Sequence, residues 1–282
     1  MILYQQHIMW YESKMINETL DSLYESLKHC SIPIELCFCL NSQTYLEKPI
    51  KGKPEDMFKE FINHPTLINA KITYKTNDDP FYNIGDWRRE IYSNNHKYTV
   101  WGESDCLIPE DYFYILSNLN IDEPHVLSLA SRKMGDDSWG VVEFEGLELY
   151  ERNWPKRNNT IPPYLFCDDY INYEALNHVN NTGDIKIIKN NLPKIDGALL
   201  ALSPNLSQFI PDDLHFSRED YCANLVFLKN KIPQYIIKNR IKGHNYKHPL
   251  KRTNTLSTRE DKLYKTYEQE SYITIQNFIN KI

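Results

Sequence analysis

Hydrophobic positions fall in short blocks whose period changes repeatedly along the chain. "MILYQQHIMW" opens as an apolar strand. "YESKMINETLDSLYESLKHC" follows with Met15, Leu20, Leu23 and Leu27 at helical spacing, which predicts one face of a helix. "IPIELCFCLNSQ" reads as a buried strand ending in polar turn residues, within which Cys37 and Cys39 alternate and are expected to point the same way. "PEDMFKEFINHP" predicts a short helix and "NAKITYKTN" a third strand. "IGDWRREIYSNN" predicts a helix entered through Asn83 or Asp86 and closed by its Asn pair. "YTVWGESDCLIPEDYFYIL" then runs as an apolar strand, a break at Gly102, two carboxylates and, after Pro109, another helix.

The second half is less regular. "HVLSLASRKM" reads as a strand and "SWGVVEFEGLELYER" as one or two more, while "NWPKRNNTIPPY" is loop-like. "IDGALLALSPNLSQFI" predicts a strand leading into a turn and a short helix. "SREDYCANLVFLKNK" predicts a helix whose start carries Ser217, Glu219 and Asp220. "PQYIIKNRIKGHNYKHP" predicts a strand followed by a histidine-containing loop, and "LSTREDKLYKTYEQESYITIQNFINKI" a final helix.

Strands alternating with helices in short units imply an α/β fold, a parallel sheet with helices on both faces. Ligands of such sheets bind outside the carboxyl ends of the strands. Asn41, Asn77–Asp79 and Glu103–Asp105 each follow a predicted strand, so all three polar clusters should line one edge.

Composition narrows the class. The 282 residues are 41% hydrophobic and 13% aromatic, a globular balance. Six cysteines lack a CxxC pair or zinc-like spacing, so free thiols in a reducing cytoplasm are expected. No basic region precedes an apolar one at the N-terminus, and no stretch approaches the roughly 20 apolar residues of a membrane span. A soluble, cytoplasmic protein is the expectation. The net charge of −6 gives no overall attraction to nucleic acid or anionic lipid. From Tyr221 to Arg259, however, no Asp or Glu occurs, while Lys229, Lys231, Lys238, Arg240, Lys242, Lys247, Lys251, Arg252 and Arg259 all fall there. That run suits a phosphate-bearing ligand or, more simply, a solvated basic surface.

Three constellations carry candidate chemistry. In Glu103-Ser104-Asp105, two carboxylates spaced i, i+2 at a strand end can reach one divalent cation, or can share a ribose hydroxyl and a metal. Their simpler role is to cap the helix that follows. Glu219 and Asp220 open a helix, where the macrodipole favours acids. There one of them can also act as a base toward an attacking hydroxyl. His244 and His248 belong to a Gly-containing loop inside the basic segment, where an imidazole can complete a metal site or simply face solvent.

The order of these parts resembles the GT-A fold glycosyltransferases, especially family-2-like enzymes of the kind encoded by large bacteriophages. The resemblance is carried by "MILYQQHIMWYESKMINETLDSL", "IELCFCLNSQ", "NIGDWRREIYS", "YTVWGESDCLIP", "IDGALLALSPNL", "REDYCANLVFLKNK" and "IKGHNYKH", spanning roughly residues 1 to 250. It implies a Rossmann-like, mixed but mostly parallel sheet in one catalytic domain over 1–250. Residues 1–115 would form the nucleotide-sugar half and 116–250 the acceptor half, with a helical extension over 251–282. Asn41, Asp86, Arg88, Arg89, Glu103, Ser104 and Asp105 would then bind the nucleotide sugar. Asp105 and His244, or His248 in its place, would hold Mn2+ or Mg2+. Asp220, with Glu219, would supply the base of an inverting transfer from a UDP-sugar to an acceptor hydroxyl. Two departures stand out: Glu103 replaces the first Asp of D-x-D, and Asn41-Ser42 replaces the usual acidic pair after the second strand.

The acceptor is not written in these motifs. A hydroxymethylated base in phage DNA, a saccharide and a protein hydroxyl all stay open. For DNA, the acid-free run would track phosphates, and Trp139, Trp154 and Tyr164 would stack on an extruded base beside Lys247, Lys251 and Arg252. Ordinary packing or sugar stacking explains those aromatics equally. A non-catalytic nucleotide-binding protein on the same fold is the competing class. A nucleotidyltransferase is disfavoured because "MILYQQHIMWYES" contains no glycine for a phosphate loop.

Overall fold

The computed structural model describes residues 1–9, 16–41, 54–59, 62–68, 70–77, 84–104, 106–134, 180, 184–190, 197–210 and 219–245, with single positions at 269, 273, 276, 277 and 280. In chain order the elements are β1 (Ile2–Met9), α1 (Ile16–Leu27), β2 (Ile34–Asn41), α2 (Pro54–Lys59), α3 (Pro65–Ile68), β3 (Lys71–Asn77), α4 (Ile84–Glu90) and β4 (Tyr98–Glu103). Next come β5 (Cys106–Leu107), α5 (Tyr112–Asn118), β6 (Val126–Met134), β7 (Lys186–Asn190), β8 (Leu200–Leu202), a 3-10 turn (Ser207–Phe209), α6 (Glu219–Lys229) and β9 (Gln234–Asn245).

Among the described residues nine strands form one sheet in the order β3-β2-β1-β4-β8-β6-β9-β5, with β7 also on β9. β3, β2, β1 and β4 are mutually parallel. β8 is antiparallel to both β4 and β6, and β9 runs parallel to β6. The mixed, mostly parallel sheet implied by the resemblance is therefore present, and β8 breaks the all-parallel arrangement read from the alternating periods. β1 and β2 lie in its interior, and Ile2, Tyr4, Ile8, Leu36, Phe38 and Leu40, which share one face by alternation, have no exposure. β3 ends the path; its exposed Lys71 and Lys75 put charge on the edge.

Helix α1 packs on the sheet through Ile16, Leu20 and Leu23, all fully buried, with Leu27 partly so. It also carries a buried polar seam at the same helical spacing. Thr19 Oγ1 donates to the Ser104 carbonyl at 2.7 Å, and the Ser22 and Ser26 hydroxyls accept from the Ile108 and Phe113 amides at 3.1 and 3.3 Å. Three small hydroxyl residues thus anchor the chain that leaves β4 and runs into α5. Cys37 and Cys39 do share one side of β2, packed with Leu3, Trp87 and Ile91, and both are free thiols.

Several expectations need adjustment. "PEDMFKEFINHP" forms two short helices, because Pro65 opens a new one. α4 stops at Glu90, before the Asn pair. β7 had no clear signal in "KIIKN" and becomes a strand by pairing with β9. β9 continues through Gly243 and His244 to Asn245, where a loop was expected, because β5 pairs with it on one side and β6 on the other. The strands and loop expected between Ser138 and Tyr164 lie outside the described residues. So does the 251–282 helix, apart from single helical positions.

Candidate functional site

The parallel registers bring the carboxyl ends of four strands to one edge, with β4 ending two positions below the other three. Met9 pairs with Asn41, Asn41 with Asn77, and His7 with both Cys39 and Glu103. The polar strand ends therefore do share an edge. Gly102, one residue before Glu103, is required there: a Cβ would overlap the ring of the buried Tyr4. Tyr4 in turn donates its hydroxyl to Gln6 Oε1 at 2.8 Å.

Arg88 enters this edge from α4 and is 1% exposed. Its Nη2 donates to Glu103 Oε1 at 3.0 Å, and its guanidinium lies 4.7 Å from the centroid of the Trp101 ring. A planar, permanently charged group that stacks and forks suits this position better than an ammonium. Arg89, next in sequence, turns instead to Asp86 on its own helix. Of the two arginines it is Arg88 that meets the acidic strand end, and Glu103 faces an arginine instead of capping a helix. Ser104 is buried with its hydroxyl unpartnered among the described residues.

The second half of the chain closes the site through Gly197–Leu199, just before β8. The Gly197 amide donates to Asp220 Oδ2 at 2.9 Å. A Cβ at Gly197 would stand 2.5 Å from Asp220 Cβ, 2.9 Å from Arg88 Nη1 and 3.0 Å from Asp220 Cγ. Asp220 at the start of α6 and Arg88 on α4 therefore converge on one point, beside Glu103. Leu199 adopts a left-handed φ of 54°, a strained backbone for a branched side chain. It is held by its amide on the Trp101 carbonyl and by Tyr112 Oη donating to its carbonyl, each at 2.7 Å. From the other side Lys242 of β9, with no exposure, donates to the Ala198 carbonyl.

Of the expected metal pair, His244 is placed by its backbone in β9, opposite Cys106 of β5, while Asp105 lies outside the described residues. One carboxylate and one imidazole, with diphosphate oxygens, form a donor set that suits Mn2+ or Mg2+. Among the described residues there is no cluster of three metal-ligating side chains, and the side chains of Asp105 and His244 lie outside them, as do those of Asn41 and Glu219. His248, Trp139, Trp154, Tyr164, Lys247, Lys251 and Arg252 also lie outside.

Sequence reasoning overlooked Gly197, Lys242 as an inward-facing group, and the buried run Gln5-Gln6-His7 in β1. The last had a visible signal, since three polar residues interrupt an apolar strand. Within the acid-free run, Arg240 is buried with its Nε on Asp111 Oδ2 at 2.6 Å. With Lys242 it makes two basic residues of that run that face the fold and not solvent.

No protein-family model matches the chain, and no curated protein matches it. Among solved structures, fragment 1-349 of S. aureus TarS in complex with UDP-GlcNAc superimposes with a TM-score of 0.53 at 10% identity. The match covers 99% of this chain and 72% of that one. The chain has a GT-A fold. The same TarS fragment in a second crystal structure gives 0.49 at 9% identity, covering 98% and 70% of the two chains. GalNAc-T7 with UDP, GalNAc and Mn2+ gives 0.48 at 12%, covering 87% and 44%. Among the described residues no helix is long and apolar enough to cross a membrane.

Proposed function

We propose that the protein is a glycosyltransferase that moves a sugar from a nucleotide-diphosphate sugar, a UDP-sugar first, to an acceptor hydroxyl with inversion. The observation that supports this most is the meeting of Arg88, Glu103, Gly197 and Asp220 at the carboxyl edge of a GT-A sheet. The UDP-GlcNAc carried by the TarS neighbour motivates the choice of nucleotide.

The chemistry asks for two things. The leaving diphosphate gains charge as its bond to the anomeric carbon breaks, and the Arg88 guanidinium, already desolvated, offers a fixed positive charge. The acceptor oxygen forms the new bond to that carbon while its proton passes to the Asp220 carboxylate, and the nucleoside diphosphate departs with the bonding pair. Fixing Asp220 through the Gly197 amide means that no reorientation is needed during transfer. Asp105 and His244 would hold a divalent cation, which when bound offsets diphosphate charge. Glu103, occupied with Arg88, orients that arginine and takes only an indirect part in ribose binding.

For the acceptor we favour a saccharide or protein hydroxyl. Inward-facing Arg240 and Lys242 reduce the basic surface left to track DNA phosphates. Hydroxymethylated DNA is the alternative, and mass gain on its nucleosides after incubation would reveal it. The donor half of the proposal is tested by thermal unfolding with UDP- and GDP-sugars, with and without Mn2+. A ligand at 100 times its Kd stabilises the folded state by about 2.7 kcal/mol. An unfolding temperature unmoved by any nucleotide sugar contradicts the proposal.

A further inference from the structure

The turn Gly197–Leu199 is gripped from several elements. The Asp220 carboxylate of α6 accepts from the Gly197 amide, the Trp101 carbonyl of β4 accepts from the Leu199 amide, and the Tyr112 hydroxyl of α5 donates to the Leu199 carbonyl. The remaining grip is Lys242, which reaches the Ala198 carbonyl from β9. This lysine is fully buried. Lysine is almost never fully buried without a specific partner, and removing an ammonium from water is costly. If the position needed only volume, an apolar side chain would serve as well or better. What an apolar side chain lacks is a donor for a turn carbonyl. The turn also needs holding, because Leu199 sits at φ 54°, a conformation that persists only where its surroundings over-determine it.

We propose that Lys242 is a positioning residue for Asp220. Its ammonium fixes the turn at Ala198, and the amide of the preceding Gly197 fixes the carboxylate. The inference rests on the transferase reading for its second half, since only there does Asp220 have a proton to accept. Lys242 touches neither donor nor acceptor in this account; it acts through the turn.

Two readouts test the proposal separately. In Lys242→Met, backbone amide hydrogen exchange over residues 197–202 should quicken at least tenfold, while exchange over β1 and β2 stays at the wild-type rate. With UDP-GlcNAc as donor, kcat should fall about 10- to 100-fold with KM within threefold. The same substitution in an Asp220→Asn background should cost less than twofold further, because the lysine acts through that carboxylate. Should Lys242→Met fail to fold, Lys242→Gln replaces it. Its donor ends one bond short, and a smaller change of the same sign is expected in both readouts. Unchanged exchange over 197–202, or an effect on kcat that multiplies fully with Asp220→Asn, overturns the proposal. A wild-type protein that neither binds nor consumes any nucleotide sugar contradicts the transferase reading alone, and the exchange measurement then decides the role of Lys242 in the turn.

Discussion

Gly197 and Asp220 are joined by an amide-to-carboxylate hydrogen bond of 2.9 Å, and a single added carbon at Gly197 would stand 2.5 Å from Asp220 Cβ. The bond and the lack of a side chain belong together. The helix start carrying Asp220 approaches the turn so closely that only hydrogen fits between them. Arg88 uses the same gap from the other side, with Nη1 2.9 Å from where that carbon would be.

Gly197→Ala should therefore separate Asp220 from Arg88. The added methyl meets Cβ of Asp220, which cannot rotate away, so a backbone shift must absorb it. We expect a stability loss of about 1–3 kcal/mol, the usual cost of overpacking, measured by urea unfolding. Turnover should fall about 100-fold, as for a group displaced by about 1 Å. Wild-type turnover in this variant would show that the approach is incidental.

Arg88→Met tests the buried cation. Removing one partner of a buried pair costs about 3–5 kcal/mol when the remaining charge is sealed in. The Glu103 side chain is 25% exposed, so water can reach it and about 2–3 kcal/mol is expected. Arg88→Lys should recover less than half of this, since an ammonium does not stack on Trp101 as a planar guanidinium does. Denaturant midpoints of the three proteins decide the order.

His125 predicts an acid sensitivity remote from the site. It is 2% exposed, and burial pushes its imidazole below the usual 6.5. The Glu123 carbonyl, 2.7 Å from Nδ1, can only accept, so Nδ1 carries the proton and Nε2 accepts from Tyr98 Oη at 2.9 Å. A neutral imidazole is thus built into the fold. Below pH 6.5 the unfolded chain takes up a proton that the folded chain resists, so stability falls with pH from 6.5 down to the lowered folded value. The slope contributed is at most about 1.4 kcal/mol per pH unit. His125→Gln should flatten the pH dependence of the unfolding temperature between pH 7 and pH 5; an unchanged slope would contradict the assignment.

How much of this was legible beforehand follows the physics of each element. Strands β1, β2 and β4 and helix α1 declared themselves because each buries apolar residues, while β3 showed only the alternation of Ile72 and Tyr74. Parallel pairing then brought Asn41, Asn77 and, two positions lower, Glu103 to one edge. Asp220 was visible because acids at helix starts are conspicuous. Gly197 and Lys242 were not: a glycine before an apolar strand looks like ordinary punctuation, and a lysine in a basic run looks solvated. Their meaning comes from contacts between residues far apart in sequence, which no local period encodes. Arg88 could not be separated from Arg89 for the same reason.

The end of α6 offers a stabilising change. Ile232 N donates to the Phe227 carbonyl at 2.9 Å and Lys231 N to the Leu228 carbonyl at 3.0 Å, the paired bonds of a Schellman motif. Lys231 holds the left-handed position with φ 57°, where glycine is the usual occupant. Lys231→Gly should relieve that strain and, net of glycine's larger unfolded-state entropy, stabilise by about 0.5–1 kcal/mol. A higher urea midpoint with unchanged turnover is the expected result, and a lower midpoint would contradict it.

The most direct measurement of the central claim compares wild type and Asp220→Asn for release of the nucleoside diphosphate from a UDP-sugar with acceptor present, alongside calorimetric binding of UDP to both. A base held in place for proton removal predicts matched UDP affinity within about threefold and a turnover loss of about 100-fold or more. Near-wild-type turnover in Asp220→Asn with binding intact would contradict it.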